Sequence, residues 1–202
     1  MQELRGQKIV LATHNKGKLV EIKDLLAPYG VSVLGAAQLD LDEPEETEST
    51  YAGNARIKAH AAAKATGLPA LSDDSGISVD ALDGAPGVFT ADWAETETGR
   101  DFFLAMSKVH DKLLEKGENT PRTAAFHCTL CLAWPDGTDA LFEGKVSGDL
   151  VWPIRGTNGF GFDPMFRPTG HDITFGEMEP ARKHAMSHRS DAFAKMVAAC
   201  FA

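Results

Sequence analysis

Apolar residues recur along this chain with two periods, near 2 and near 3.6, and the switches between them outline an α/β protein. Residues 8–12 predict a short buried strand, after which the chain turns polar at Thr13-His14-Asn15-Lys16-Gly17-Lys18. Leu19, Ile22, Leu25 and Leu26 then follow helical spacing until Pro28 and Gly30 end the run. Residues 31–34 read as a second strand. Residues 50–66 form an alanine-rich helix, capped by Ser49 or Thr50 and stopped by Gly67 and Pro69. Its small residues predict close packing against a sheet, and Asn54 and Lys58 lie one turn apart on one face. Strands are expected at 70–74 and 77–79. An amphipathic helix follows over 98–116, with Phe102, Phe103, Met106, Val109 and Leu113 facing inward. Residues 122–134 and 140–151 read as two strands joined at Pro135-Asp136-Gly137-Thr138, and a last helix spans 191–202. No repeat, low-complexity tract or linker interrupts the pattern, so residues 1–202 are expected to form a single domain, with room for two lobes.

Charge narrows the partners. The 202 residues carry a formal net charge of -9, and the pI is about 5.2. That balance argues against nucleic-acid or membrane-surface binding, both of which favour a basic face. An anionic small substrate is compatible with it only where positive charge is concentrated locally or brought by a metal. The three cysteines, Cys128, Cys131 and Cys200, form no framework. Cys128 and Cys131 sit three apart in a strand-like run and face opposite ways, so they read as small buried hydrophobes in a reducing compartment. Residues 1–8 lack an apolar signal core and no run approaches membrane-spanning length, so a cytoplasmic location is expected.

The densest chemistry lies at Leu71-Ser72-Asp73-Asp74-Ser75-Gly76-Ile77. At the end of a strand, Asp73 and Asp74 point to opposite faces, so one carboxylate can brace while the other serves a site. The same residues also suit a hydrogen-bonded turn. The loop at 13–18 leaves helix N–H groups and a positive dipole end beside Lys16 and Lys18, a seat for phosphate oxygens or an ordinary strand–helix turn. Lys58 reads equally as a phosphate contact or a solvated charge. The acidic run at 39–48 is a solvated loop from which one carboxylate can share a cation with Asp74. At 156–164, glycines alternate with Phe160 and Phe162 and lead to Asp163, either to line a flat base or to pack a turn. Lys183, His188 and Arg189 concentrate donors in an acidic chain, though each alone reads as a surface residue.

Taken as an ordered set, these motifs resemble the non-standard purine nucleoside triphosphate pyrophosphatases, the inosine/xanthosine triphosphatase family. The matching pieces are Thr13–Lys18 in the loop, Glu45-Glu46-Thr47 with Thr50-Tyr51 and Asn54-Ala55, and Asp73-Asp74-Ser75-Gly76. Gly84-Ala85-Pro86-Gly87, Gly159-Phe160-Gly161-Phe162-Asp163-Pro164-Met165-Phe166, Lys183 and Ser187-His188-Arg189 complete the set. The resemblance implies an elongated mixed β-sheet flanked by helices, with two lobes around a central substrate cleft, and a homodimer. It implies Mg²⁺-dependent conversion of ITP, dITP and XTP to the monophosphate and pyrophosphate, clearing deaminated purines from the nucleotide pool. Asp74 is then the general base and a metal ligand, with Glu45 the second metal ligand and Glu46 its rival. Thr13, His14, Asn15, Lys16, Gly17 and Lys18 hold the triphosphate, and Lys58 and Ser75 contact substrate. Phe160, Gly161, Phe162, Asp163, Lys183, His188 and Arg189 form the base and sugar side.

Some positions depart from the family pattern. Thr90-Ala91-Asp92 stands where a Ser-Ala-Arg segment is expected, Phe162 replaces a tyrosine, and Tyr51 replaces a phenylalanine. Three rival readings are weaker. Asp74-Ser75-Gly76 also resembles the signature of aspartic proteases, but strand–helix alternation is wrong for that all-β class. A non-enzymatic nucleotide sensor would keep the phosphate and base contacts without needing Asp74 as a base. The Maf-like nucleotide pyrophosphatases share the implied fold, but the 160–163 and 187–189 motifs speak against them.

Overall fold

The computed structural model describes residues 4–201; the first three residues and the last, which belong to the stretches 1–8 and 191–202 considered above, lie outside the described residues. In chain order the regular elements are β1 (Lys8–Leu11), α1 (Lys16–Leu26), β2 (Ser32–Gly35), α2 (Tyr51–Thr66), β3 (Ala70–Val79), β4 (Glu95–Thr96), β5 (Gly99–Arg100), α3 (Phe102–Lys116), β6 (Thr123–Ala133), β7 (Asp139–Leu150), β8 (Phe166–Pro168), α4 (Pro180–His184) and α5 (His188–Cys200). The main sheet has the order β2-β1-β3-β6-β7-β8 and is mixed. β1 runs parallel to β2 and β3, with Leu11 opposite Gly35 and Leu71, whereas β7 and β8 are antiparallel.

The chain forms two compact units. The first comprises the chain up to Asp74, then Cys128–Gly144, then the chain from Arg189 onward; the second comprises Ser75–His127 and Lys145–His188. In the first unit, the alternation of β1 decides the layers. Ile9 and Leu11, with Leu71 and Leu130, pack against Ile22 and Leu26 of α1 and Ala192, Phe193 and Met196 of α5. Val10 and Ala12, with Ala70, Cys131 and Ala133, pack against Ala55, Ala59, Ala62 and Ala63 of α2. Alanines on α2 let its axis lie close to the sheet, as the sequence predicts. Cys128 and Cys131 do face opposite cores, and all three cysteines are free and buried. The second unit buries Ile77 and Val79 against Ala105, Met106, Val109 and Leu113 of α3, together with Phe126, Phe166 and Phe175.

Four expectations are corrected. β3 is one continuous strand through Asp73-Asp74-Ser75-Gly76, because it lies between β1 and β6, whose ladders outweigh the turn preference of those residues. α3 starts at Phe102 rather than 98: residues 95–100 form the β4–β5 hairpin, and the Asp101 side chain accepts the Leu104 N–H as the cap. Phe103 is not on the inner face of α3 but 57% exposed. The last helix starts at His188, and Lys183, His188 and Arg189 are buried rather than superficial. No helix among the described residues is long and apolar enough to cross a membrane.

Candidate active site

Strand alternation sends the two adjacent aspartates into different surroundings. Asp73 continues the face of Leu71, toward α1 and α5. Its Oδ1 lies 2.6 Å from Lys18 Nζ, and its Oδ2 accepts Arg189 Nε–H at 2.8 Å and the Cys128 thiol at 3.1 Å. Arg189, 1% exposed, also donates to Glu21. Burial alone would raise the Asp73 carboxyl, but the charges of Arg189 and Lys18 outweigh it and hold the group well below the usual carboxylate range. Burial and the neighbouring Asp73 charge push the Cys128 thiol well up, so it stays a proton donor. Asp73 is therefore a brace that is ionised at neutral pH.

Asp74 lies on the α2 face, where the Ser72 hydroxyl donates to the Ala55 carbonyl at 2.6 Å. Its Oδ1 accepts Lys58 Nζ at 3.1 Å, and the same ammonium donates to Glu46 Oε1 at 2.6 Å. Its Oδ2 is buried and accepts no hydrogen bond from a described residue. Burial pushes Asp74 up; Lys58 and Lys18 pull it down, Glu46 adds to the rise, and the net direction is upward. Two neighbouring carboxylates with opposite shifts are the pattern expected of one structural group and one proton-transfer group. Lys58 is held above its usual value, because Asp74 and Glu46 outweigh the effect of burial. It is neither a solvated charge nor free.

The 13–18 loop is ordered largely by its own side chains. Asn15 caps α1, its Oδ1 accepting the Gly17 and Lys18 N–H groups at 2.9 and 3.1 Å, and Thr13 Oγ1 accepts the Asn15 N–H. The Asn15 oxygen thus serves the helix end, while Lys16 is exposed and Lys18 is committed to Asp73. His14 donates from Nε2 to the Leu41 carbonyl at 2.9 Å, tying this loop to the acidic run.

A divalent cation fits the Asp74 side of the strand. Hard carboxylate oxygens are available, one Asp74 oxygen is unspent, and Glu46 and Asp74 already share a cation in the Lys58 ammonium. Among the described residues no group of three or more His, Cys, Asp or Glu side chains converges as a metal cage. Two carboxylates completed by substrate oxygens is how Mg²⁺ is commonly held. Glu45, the first choice from the sequence, is exposed, and the carboxylate joined to Asp74 through Lys58 is that of Glu46.

In the second unit, Asp163 organises the glycine-rich loop. Its Oδ2 accepts the Phe160 N–H at 2.8 Å and Lys183 Nζ at 2.7 Å. Gly159 has φ 75°, and a Cβ there would run into the Asp163 carboxylate, so the turn requires glycine. Lys183 Nζ lies 4.9 Å from the Phe160 ring centroid. The two loop aromatics divide: Phe162 is buried and meets Phe102 edge-on, leaving Phe160, half-buried, as the ring able to meet a ligand. His188 is buried and stacked on Phe126, with centroids 4.8 Å apart. Ser75 is half-buried in this unit. Asp92 is exposed in the departing segment, whereas Thr90 is structural, its Oγ1 accepting the Ile77 N–H at 2.9 Å.

Sequence reasoning missed Glu21 and Cys128 as partners of the Asp73 brace. Glu21 had a signal: it stands among Lys18, Ile22 and Leu25 on the buried arc of α1, a position at which an acidic residue needs a cationic partner. Two further polar groups escaped it on β6 and β7. Ser78 Oγ and His127 Nε2 are 2.8 Å apart, and Asp139 accepts Arg56 Nε–H at 3.1 Å and pairs with His60 at 2.9 Å.

A mixed sheet flanked by helices, with a bracing aspartate and a carboxylate–lysine cluster at adjacent positions of β3, defines the chain as an α/β protein. The model of the Ham1 family matches residues 9–199, and the chain belongs to that family. It is 64% identical over 196 residues to the dITP/XTP pyrophosphatase of Ruegeria pomeroyi, covering 97% of this chain and 96% of that one. It is 57% identical to the dITP/XTP pyrophosphatase of Agrobacterium fabrum, covering 99% of both. Among solved structures, a HAM1 protein from Coxiella burnetii superposes with a TM-score of 0.87 at 37% identity, covering 96% of this chain and 98% of that one. The family resemblance carried by the motifs is borne out.

Proposed function

We propose that this protein is a Mg²⁺-dependent nucleoside triphosphate pyrophosphohydrolase that converts ITP, dITP and XTP to the monophosphate and pyrophosphate. Its role is to clear deaminated purines from the nucleotide pool. The names of its close relatives support the substrate class. The observation that carries the mechanism is the opposed pair on β3: Asp73 locked by Arg189 and Lys18, and Asp74 with a raised pKa and an unspent oxygen.

In this reading Asp74 Oδ2 receives the proton of the attacking water, and its upward shift makes it a better base than an ordinary carboxylate. Lys18 and Lys58 set positive charge against the pyrophosphate leaving group. Mg²⁺, held by Asp74 with Glu46 or Glu45, supplies additional positive charge against the phosphate oxygens. The loop entering α1, with Thr13, His14, Asn15, Lys16 and Gly17, is assigned to the outer phosphates, and Ser75 to a substrate oxygen. Phe160 and Gly161 are assigned to the face of the purine, with Lys183 and His188 as donors to its edge. Asp163 positions Phe160 and Lys183, Phe162 supports the loop from the core, and Arg189 acts through Asp73. A 6-oxo group accepts where adenine donates, so a donor-lined site favours inosine and xanthosine. A homodimer in the cytoplasm completes the reading, and light scattering tests the assembly.

The substrate reading is tested by kcat/KM with Mg²⁺ for ITP, dITP and XTP against ATP, GTP and TTP. A preference of at least about 100-fold for the deaminated purines is expected. Equal rates, or ITP binding without turnover, would overturn it, the latter in favour of a sensor.

A further inference from the structure

Lys58 sits where a buried lysine is least comfortable unless something fixes it. Its side chain is 6% exposed on the alanine face of α2, and its ammonium reaches Glu46 Oε1 at 2.6 Å and Asp74 Oδ1 at 3.1 Å. Asp74 is the carboxylate that the proposed function assigns to the metal, and Glu46, which shares the ammonium with it, is taken here over Glu45 as the second. One ammonium against two carboxylates leaves a net negative charge, and Asp74 Oδ2 still accepts no hydrogen bond from a described residue. An ion drawing oxygens from both residues to about 2.1 Å needs the space that the ammonium holds. A dication and an ammonium at that separation also repel strongly in a buried setting.

We infer that Lys58 is a built-in stand-in for the divalent cation: it holds Asp74 and Glu46 together until the metal displaces it, and this exchange couples metal binding to nucleotide binding. The inference rests on the metal role proposed above for Asp74 and Glu46. Without nucleotide, metal entry must break the Lys58 contacts and leave a buried ammonium without an anion, so the metal binds weakly. A triphosphate supplies that anion. Each ligand therefore raises the affinity of the other, and the coupling is reciprocal. The enzyme then loads the metal and the nucleotide together, and Lys58 passes from the carboxylates to the phosphates. The loop carrying Glu46 has no regular structure between 40 and 50, so the carboxylate has latitude to follow the ion.

The test counts bound Mn²⁺ by the spectroscopic signal of the free ion, with no turnover involved. Nucleotide-free Lys58→Met, checked for folding by circular dichroism, should bind Mn²⁺ at least about fivefold more tightly than the wild type. The further gain on adding a non-hydrolysable imido analogue of ITP should shrink by the same factor. Equal or weaker Mn²⁺ binding by the variant overturns the inference. A wild-type measurement stands beside it should the variant fail to fold. Acetylation of Lys58, read by mass spectrometry, should rise at least threefold on adding Mn²⁺ and fall again on adding the analogue, and reactivity unmoved by Mn²⁺ overturns it equally. Failure of the wild type to bind Mn²⁺ even with the analogue removes the metal site itself, and with it the functional reading as well as this inference.

Discussion

Replacing Asp73 by asparagine keeps the shape of the brace and removes its charge. Around it, Asp73 and Glu21 balance Lys18 and Arg189, and the substitution leaves this buried group with an excess positive charge. Arg189 keeps Glu21, while Lys18 keeps the Asp73 carbonyl at 3.4 Å. Breaking a buried ion pair by removing one partner costs about 3–5 kcal/mol. Lys18 is 14% exposed and partly screened, which favours the lower end of that range. For a chain of this size each kcal/mol moves the melting temperature by about 2–4 °C, so a fall of roughly 6–12 °C is expected. Urea unfolding of both proteins with a chelator present measures the gap without metal charge. Its pH dependence has a definite sign. The folded Asp73 pKa is depressed, so its contribution is fully present above the unfolded value of about 4 and is lost as pH falls toward the folded value. The gap should be flat from pH 8 to about pH 5 and shrink below about pH 4. A gap under about 1 kcal/mol at neutral pH, or one that widens in acid, would refute the brace.

The other substitutions separate chemistry from architecture. Asp74→Asn should lower kcat by about 100-fold or more, yet leave the melting temperature of the metal-free protein unchanged or higher. The reason is that a raised carboxylate pKa means its ionisation costs folded stability as pH rises; near-normal turnover removes Asp74 as the base. Gly53→Ala should raise the Mg²⁺ concentration needed for half-maximal rate several-fold, because the new Cβ would lie 2.5 Å from Glu48 Cβ and push the Glu46 segment aside. An unaltered Mg²⁺ dependence counts against that segment as metal-binding. Phe160→Ala should raise KM about tenfold with little thermal effect, whereas Phe162→Ala should cost about 3–5 kcal/mol of stability by opening a core cavity. Thermal melts and KM values for the pair decide whether the two rings are rightly divided.

The legible parts of the fold were those governed by local period. α2 follows from its alanines and caps, and the opposite facing of Asp73 and Asp74 follows from the period of a strand. What the chain hid were consequences of distant neighbours. Ser75-Gly76 reads as a break between two strands until β1 and β6 flank the segment and hold it straight. Arg189 reads as superficial because its partners stand 116 and 168 residues away. No periodicity reports such a separation. Lys58 was ambiguous for the same reason, since Glu46 and Asp74 reach it from either side of α2. Of the two loop phenylalanines, only packing against α3 shows that Phe162 belongs to the core.

Which phosphoanhydride bond breaks, and whether Asp74 acts in breaking it, is read by product analysis of XTP or ITP with Mg²⁺, for the wild type and Asp74→Asn, resolving monophosphate from diphosphate and detecting pyrophosphate separately from phosphate. Monophosphate and pyrophosphate are expected in equal amounts from the wild type, with almost none from the variant. Diphosphate with phosphate, or undiminished pyrophosphate from the variant, would contradict the proposed mechanism.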